Sequence, residues 1–165
     1  MSREPFDDAP LWLWFPGLPT STNRMKRIFR GASIPSQEYK DFKNLIAAVI
    51  ATLHKRNADG FVMPWDECGV ATWLFPATRR RYDADNRNKS LHDALTEARF
   101  WPDDQCVQEI FTRKCFPVRG GATVVCVYRF DPAAPPPKVI PAGIRAELPL
   151  PVPPSKKRNT KTKQG

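Results

Sequence analysis

The sequence predicts a mixed α/β domain in which two helices pack on a small sheet, in the order β-α-β-α-β-β, followed by a disordered C-terminal tail. Three observations carry this. Four apolar or alternating blocks have the length of strands, and two longer blocks repeat apolar residues at spacings of three and four. Half of the 18 prolines lie between Pro132 and Pro154. A chain of 165 residues suits one compact core. The folded domain is accordingly placed at residues 1–130 and the tail at 131–165.

Ala9–Phe15 is apolar and aromatic and forms the first strand. Leu11, Leu13 and Phe15 share one of its faces and Trp12 and Trp14 the other, because side chains alternate along a strand. Pro16–Arg30 follows as a loop, with Gly and Pro signals and then the polar run Thr20-Ser21-Thr22-Asn23-Arg24. Ser36 opens a helix, with Glu38 in its first turn. Tyr39, Phe42, Leu45, Ile46, Val49, Ile50 and Leu53 form the inner stripe of that helix, which runs to about His54–Arg56. A polar turn at Asn57–Gly60 precedes a second strand, Glu67–Phe75. A second helix spans about Asn86–Arg99, with Leu91, Ala94, Leu95 and Ala98 inward. After a turn at Trp101–Asp104, strands at Cys106–Phe116 and Ala122–Phe130 are joined by a hairpin carrying Gly120-Gly121. From Asp131 the chain is proline-rich and then lysine-rich (Lys156, Lys157, Arg158, Lys161, Lys163), a composition expected to bury no core.

The formal charge is +9. Residues 131–165 contribute seven basic and two acidic side chains, so both the body and the tail are basic. That balance favours a polyanionic partner, nucleic acid before membrane. The polar, acidic start of the chain has no apolar stretch of signal-peptide type, and no apolar run approaches the roughly 20 residues that span a bilayer. A cytoplasmic location is expected. Four cysteines without a CxxC pair, and only His54 and His92 as imidazoles, argue for reduced structural thiols over a zinc site.

Asp83-Ala84-Asp85-Asn86-Arg87-Asn88-Lys89 is the segment richest in chemistry. Two carboxylates spaced i, i+2 in an extended stretch project to one face, and Asp85 stands where a helix start can be capped. Lys89 and Asp93 follow at intervals of one helical turn. Phosphodiester hydrolysis needs what such a cluster can supply: hard oxygen ligands for Mg²⁺, a metal-acidified water and a cation to offset charge on the phosphoryl oxygens. Asp103-Asp104 provide a further carboxylate later in the chain. On spacing alone the alternative stays open, since an Asp-x-Asp-Asn before a helix is also a turn with a cap, and two aspartates together are also a solvated turn.

Three blocks in register settle on one family. Asp83-Ala84-Asp85-Asn86-Arg87-Asn88-Lys89, then Asp93-Ala94-Leu95, then Asp103-Asp104 before a strand, resemble the RusA signature of Holliday-junction resolvases. Pro19-Thr20-Ser21-Thr22-Asn23-Arg24 resembles that family's opening after its first strand, with Thr20 where a second proline is common. The likeness spans about residues 11–130. It implies a magnesium-dependent crossover-junction endodeoxyribonuclease, with Mn²⁺ as a substitute, acting as a homodimer on four-way DNA junctions by paired symmetric nicks. It further implies that Asp83, Asp85 and Asp104 bind the metal, that Lys89 is catalytic, and that Asn86, Asp93 and Asp103 support them. Arg79, Arg80 and Arg81 form one candidate phosphate patch, and Arg24, Lys26, Arg27 and Arg30 in the first loop a second. One face of the first strand should meet the core, so the opposite one, whether Leu11, Leu13 and Phe15 or Trp12 and Trp14, is a candidate dimer contact, with Val125 as another. Tyr82 is a candidate base-stacking residue, and both histidines are expected on helix surfaces. Two other readings are a nuclease of flaps or forks and a basic DNA-binding protein that does not cut.

Overall fold

A computed structural model describes residues 9–56, 63 and 65–154. Four strands make the main sheet: β1 (Leu11–Pro16), β4 (Cys68–Phe75), β5 (Val107–Lys114) and β6 (Ala122–Arg129), in the spatial order β1-β6-β4-β5. A separate hairpin pairs β2 (Lys26–Phe29) with β3 (Ala32–Pro35). The helices are α1 (Gln37–Arg56), α2 (Ala84–Glu97) and the short α3 (Ala142–Glu147). This is the mixed α/β class that the sequence predicts, with one hairpin and one helix more than expected.

The sheet separates two apolar layers. On one side α1 and α2 bring Phe42, Ile46, Ile50, Leu91 and Leu95 against Phe15, Val70, Val125 and Val127. The expected stripe of α1 therefore lies in the core, and the backbone N–H of Tyr39 donates to Ser36 Oγ at 3.2 Å as the expected cap. β4 is buried along its whole length because both of its faces are covered and both of its edges paired, and its apolar run reflects that position. Gly69 in β4 has a specific cause: a Cβ there would stand 2.3 Å from the Tyr128 ring. Tyr128 crosses over it from β6, and its hydroxyl donates to Glu109 of β5 at 2.6 Å.

Three expectations need correction. The last two long strands do not form a hairpin. β5 pairs parallel with β4, and β6 inserts antiparallel between β4 and β1. The reason is burial: β6 is mostly apolar, buried at every position but Arg129, and occupies the interior of the sheet, whereas β5 has the half-exposed pattern of an edge. Second, part of the first loop is the β2–β3 hairpin. Its two-residue turn has Arg30 at φ 50° and Gly31 at φ 79°, the left-handed pair that a tight hairpin requires.

Third, residues 131–154 were expected to bury nothing, and they instead cross the far face of the sheet. Ile140 is buried, and Ile144 and Leu148 pack beside it against the layer formed by Trp12, Trp14, Trp73, Phe75 and Phe111. Trp14 Nε1 donates to Glu147 at 2.8 Å. The end of the segment is held by Arg119 N–H to the Leu150 carbonyl and Val152 N–H to the Pro117 carbonyl, each 2.9 Å. Proline enrichment here marks extended chain laid on a surface, where few backbone donors are needed. The lysine-rich end beyond residue 154 and the turn expected at Asn57–Gly60 lie outside the described residues.

Candidate active site

The β4–α2–β5 crossover builds the site. Asp83 is the N-cap of α2, in extended conformation, with its Oδ1 accepting from the Asp85 backbone N–H at 3.0 Å and its Oδ2 from Asn86 Nδ2 at 2.9 Å. The cap is thus Asp83 and not Asp85, and the two carboxylates flank a helix start instead of sharing one face of a strand. Both remain exposed. At a helix N-terminus the unpaired amides and the macrodipole favour anionic groups, so the segment tolerates carboxylates and can also receive phosphate.

The first loop docks on this helix start. Thr22 Oγ1 donates to Asn86 Oδ1 at 2.6 Å, and the Arg87 guanidinium donates to the Pro19 carbonyl. Burial lowers the pKa of Arg87 from its usual value. Asn86 therefore joins the cap to the loop. Thr20, where the family often has a second proline, is buried, with its hydroxyl donating to the Glu38 carbonyl at 3.3 Å. Arg79, Arg80 and Arg81 lie exposed just before Asp83, and Arg24, Lys26, Arg27 and Arg30 lie exposed on the docked loop and hairpin. Arg79–Arg81 thus adjoin the helix start in the chain, and the contact of Thr22 with Asn86 brings the root of the second patch to the same end of α2, which linear order did not disclose.

Lys89, one turn into α2, is exposed and makes no ion pair with Asp85 or Asp93 among the described residues. With Asp85, Asn88, His92, Ile110 and Thr112 it lines an open depression of about 580 Å³. Its ammonium is available to a ligand. Asn88 and His92 form the floor, and Asn88 Nδ2 contacts Thr112 Oγ1. His92 was expected on the surface but is buried, edge-on to Trp101 at 5.8 Å between ring centroids. Burial lowers its pKa to about 4, so it is neutral at physiological pH. It sits one position from the apolar stripe of α2, and its inward placement is the signal that a count of histidines missed. Tyr82 is also part of the packing: its hydroxyl donates to the Leu74 carbonyl at 3.2 Å, and Lys114 Nζ stands 4.9 Å over its ring.

Asp103 and Asp104 lie at the opposite end of α2. Asp103 caps a single 3-10 turn by accepting from Gln105 N–H at 3.0 Å. Asp104 is exposed, and its pKa is raised chiefly by a hydrogen bond with Asp103, then by slight burial and by the charges of Asp103 and Asp93. Asp93 is thus within electrostatic reach of Asp104, and among the described residues no ion pair joins it to Lys89. Eight residues of helix separate Asp85 from Asp93, about 12 Å along the axis. In keeping with this, among the described residues no three His, Cys, Asp or Glu side chains converge as a metal-binding group. The chain brings Asp83, Asp85, Lys89 and the basic patches together, and holds Asp103 and Asp104 apart from them.

The expected reduced thiols are present as such: Cys68, Cys106, Cys115 and Cys126 are free. No described helix is long and apolar enough to cross a membrane.

The sequence model of the family described as Endodeoxyribonuclease RusA matches residues 16–127. The chain is 35% identical over 109 residues to the crossover junction endodeoxyribonuclease RusA of Escherichia coli strain K12, covering 62% of this chain and 82% of that protein. The corresponding proteins of Shigella sonnei and of Enterobacteria phage 82 are each 34% identical, over 109 and 106 residues, with the same shares covered.

Proposed function

Because this chain belongs to the RusA family of crossover junction endodeoxyribonucleases, we propose that it resolves four-way DNA junctions by magnesium-dependent hydrolysis, with Asp83 and Asp85 as metal-binding residues and Lys89 as the catalytic cation. The observation that carries this reading is the exposed start of α2. Two carboxylates and an unpaired lysine lie there between two basic patches on a docked loop and on Arg79–Arg81.

The donor set fits Mg²⁺. Asp83 and Asp85 offer carboxylate oxygens, the ligand type that this ion takes, and their exposure leaves room for the waters it retains. When bound, the ion would supply an acidified water and charge neutralisation at the scissile phosphate. The protein side follows from placement. Arg79, Arg80 and Arg81 hold the strand by its phosphates, without reading sequence. Lys89 offsets negative charge on the phosphoryl oxygens, from a helix whose cap and loop contacts fix its direction. Asn86 is a positioning residue that keeps Asp83 oriented. A protein that only bound DNA would gain nothing from exposed aspartates beside phosphate, which disfavours the non-cleaving reading.

Asp104 enters from a second copy. Within one chain it stands beyond the far end of α2, so a site uniting all three aspartates takes two chains. β5 supports one way to build it. It is the edge strand next to β4, with Ile110 55% exposed, and it runs from Val107, three residues after Asp104, up to Lys114, whose ammonium donates to the Tyr82 carbonyl just before the cap. Antiparallel pairing of two such edges about a two-fold axis would carry Asp104 of each copy toward Asp83 and Asp85 of the other. The earlier candidates do not serve: Val125 is in the core, Leu11, Leu13 and Phe15 pack into it, and Trp12 and Trp14 are covered by residues 140–148. Two equivalent sites then give the paired nicks, in the cytoplasm where the DNA is.

Incubation with a synthetic four-way junction, with Mg²⁺ or with chelator, tests this function. Symmetric nicks that need the metal and disappear in Asp85→Asn are expected. Full cutting by Asp85→Asn, or cutting of flaps and forks with the junction left whole, refutes it.

A further inference from the structure

We propose that the tip of the β2–β3 hairpin is an aromatic wedge, and that Phe29 stacks on the base faces laid open at a DNA branch point. This rests on the reading of the chain as a branched-DNA nuclease, and it assigns the hairpin a role in choosing the branch over plain duplex.

The tip is apolar where nothing in the fold requires it. Ile28 is 75% exposed and Phe29 52% exposed, on a ribbon whose strands are solvated along nearly their whole length. A two-stranded ribbon is marginal by itself, yet this one is anchored at its root. Ser36 N–H donates to the Met25 carbonyl at 2.8 Å, and the Ser36 hydroxyl donates to the Arg24 carbonyl. The tight turn at Arg30-Gly31 sets the register so that Phe29 stands opposite Ala32, at the very end. A small partner across the ribbon leaves the ring half-exposed.

Charge identifies the occupant. Arg27 and Arg30 flank Phe29, Lys26 and Arg24 follow toward the root, and no acidic residue occurs from Arg24 to Gln37. Glu38, the first one, pairs with Arg24 at the root at 3.4 Å. The Arg27 and Arg30 guanidinium carbons stand 5.9 and 5.3 Å from the centre of the Phe29 ring. Two such tips would repel each other, so a second copy is disfavoured. Nucleic acid presents what the tip complements, flat apolar base faces bordered by phosphates. Intact duplex hides those faces in its stack; a branch point exposes them.

Position connects the tip to the cut. The root of the hairpin is bonded through Thr22 to Asn86 at the start of α2. Four residues of strand reach about 13 Å from there, some four base-pair steps of duplex. A tip seated in the branch would therefore hold a phosphate a few steps away over Asp83 and Asp85.

The test measures binding in chelator, of a four-way junction carrying 2-aminopurine at the branch and of a linear duplex of the same sequence. The proteins are wild type, Phe29→Ala, Phe29→Leu and Phe29→Tyr. We expect Phe29→Ala and Phe29→Leu to weaken junction binding about 10- to 100-fold, the scale of one stacked base, and to leave duplex binding within about twofold, since the cations of the phosphate contacts are retained. The change in 2-aminopurine fluorescence should vanish with them and return with Phe29→Tyr. Thermal midpoints should match, because the side chain is half-exposed. Retained preference for the junction in Phe29→Ala overturns the wedge. So does equal weakening on both DNAs, an altered oligomeric state, or loss of binding to anionic lipid vesicles with junction binding unchanged. Failure of the wild type to cut junctions would count against the proposed function instead, and is read separately.

Discussion

If the active site is shared between two chains, two dead variants should complement each other. Asp85→Asn keeps Asp104, and Asp104→Asn keeps Asp83 and Asp85. In a mixed dimer built as proposed, one site combines both lesions and the other combines neither. The case follows from the length of α2. Asp85 and Asp93 are about 12 Å apart along the helix axis, and Asp104 follows the C-terminal end of that helix, just before β5. Ligands of one Mg²⁺ instead lie about 2 Å from it and hence within roughly 4 Å of each other. No side-chain rotation spans that gap. Refolding the two variants together at equal amounts should yield mixed dimers for roughly half of the population, each with one working site. On a plasmid-borne cruciform, wild type should give mostly linear DNA and the mixture mostly nicked circles, while each variant alone gives neither. A refolded mixture as inert as its components would refute the shared site and return all three aspartates to one chain.

Other consequences follow from single contacts. Lys89→Ala should reduce cleavage about 10²- to 10³-fold and shift stability by no more than about 0.5 kcal/mol, because the side chain is exposed and unpaired; single-turnover cleavage and urea melts read the two effects. Ile140→Ala should cost about 2–4 kcal/mol, as a large buried residue cut back to a methyl group, and deletion of residues 131–165 should abolish cooperative unfolding by uncovering Trp12, Trp14 and Phe111; an unchanged melt would show that the segment is dispensable. Deletion of residues 155–165 alone should flatten the salt dependence of DNA binding, since five basic side chains are lost. His92 is buried and neutral, with its pKa depressed to about 4 against a usual 6.5. The unfolded chain therefore takes up the proton first: the contribution is fully present above about pH 6.5 and is lost as pH falls toward 4, by about 3 kcal/mol in total. His92→Phe should remove that slope from urea midpoints measured between pH 7 and 4.5.

The chemistry proposed for this protein is legible in its sequence, because it resides in short local motifs. Asp83 through Lys89 form a cap and the first turns of a helix, so neighbours in the chain are neighbours in space. The stripe of α1 and the alternation of β1 are equally local, and both layers of the sheet follow from them: Leu11, Leu13 and Phe15 face the helices, and Trp12 and Trp14 the opposite side. Tertiary structure alone decided which distant groups meet. β6 entered the sheet between β1 and β4, because a mostly apolar strand is most stable with both edges paired and both faces covered. The first loop docked on Asn86 because its carbonyls and hydroxyls needed partners. Ile140, Ile144 and Leu148 recur every four residues, but the stripe is only two turns long and is broken up by Pro141 and Pro149; they cover the tryptophans of β1 because an exposed aromatic face would otherwise remain. Asp104 sits near the active-site motif in the chain but is held away from it by the rigid length of α2, a separation that no spacing along the sequence conveys.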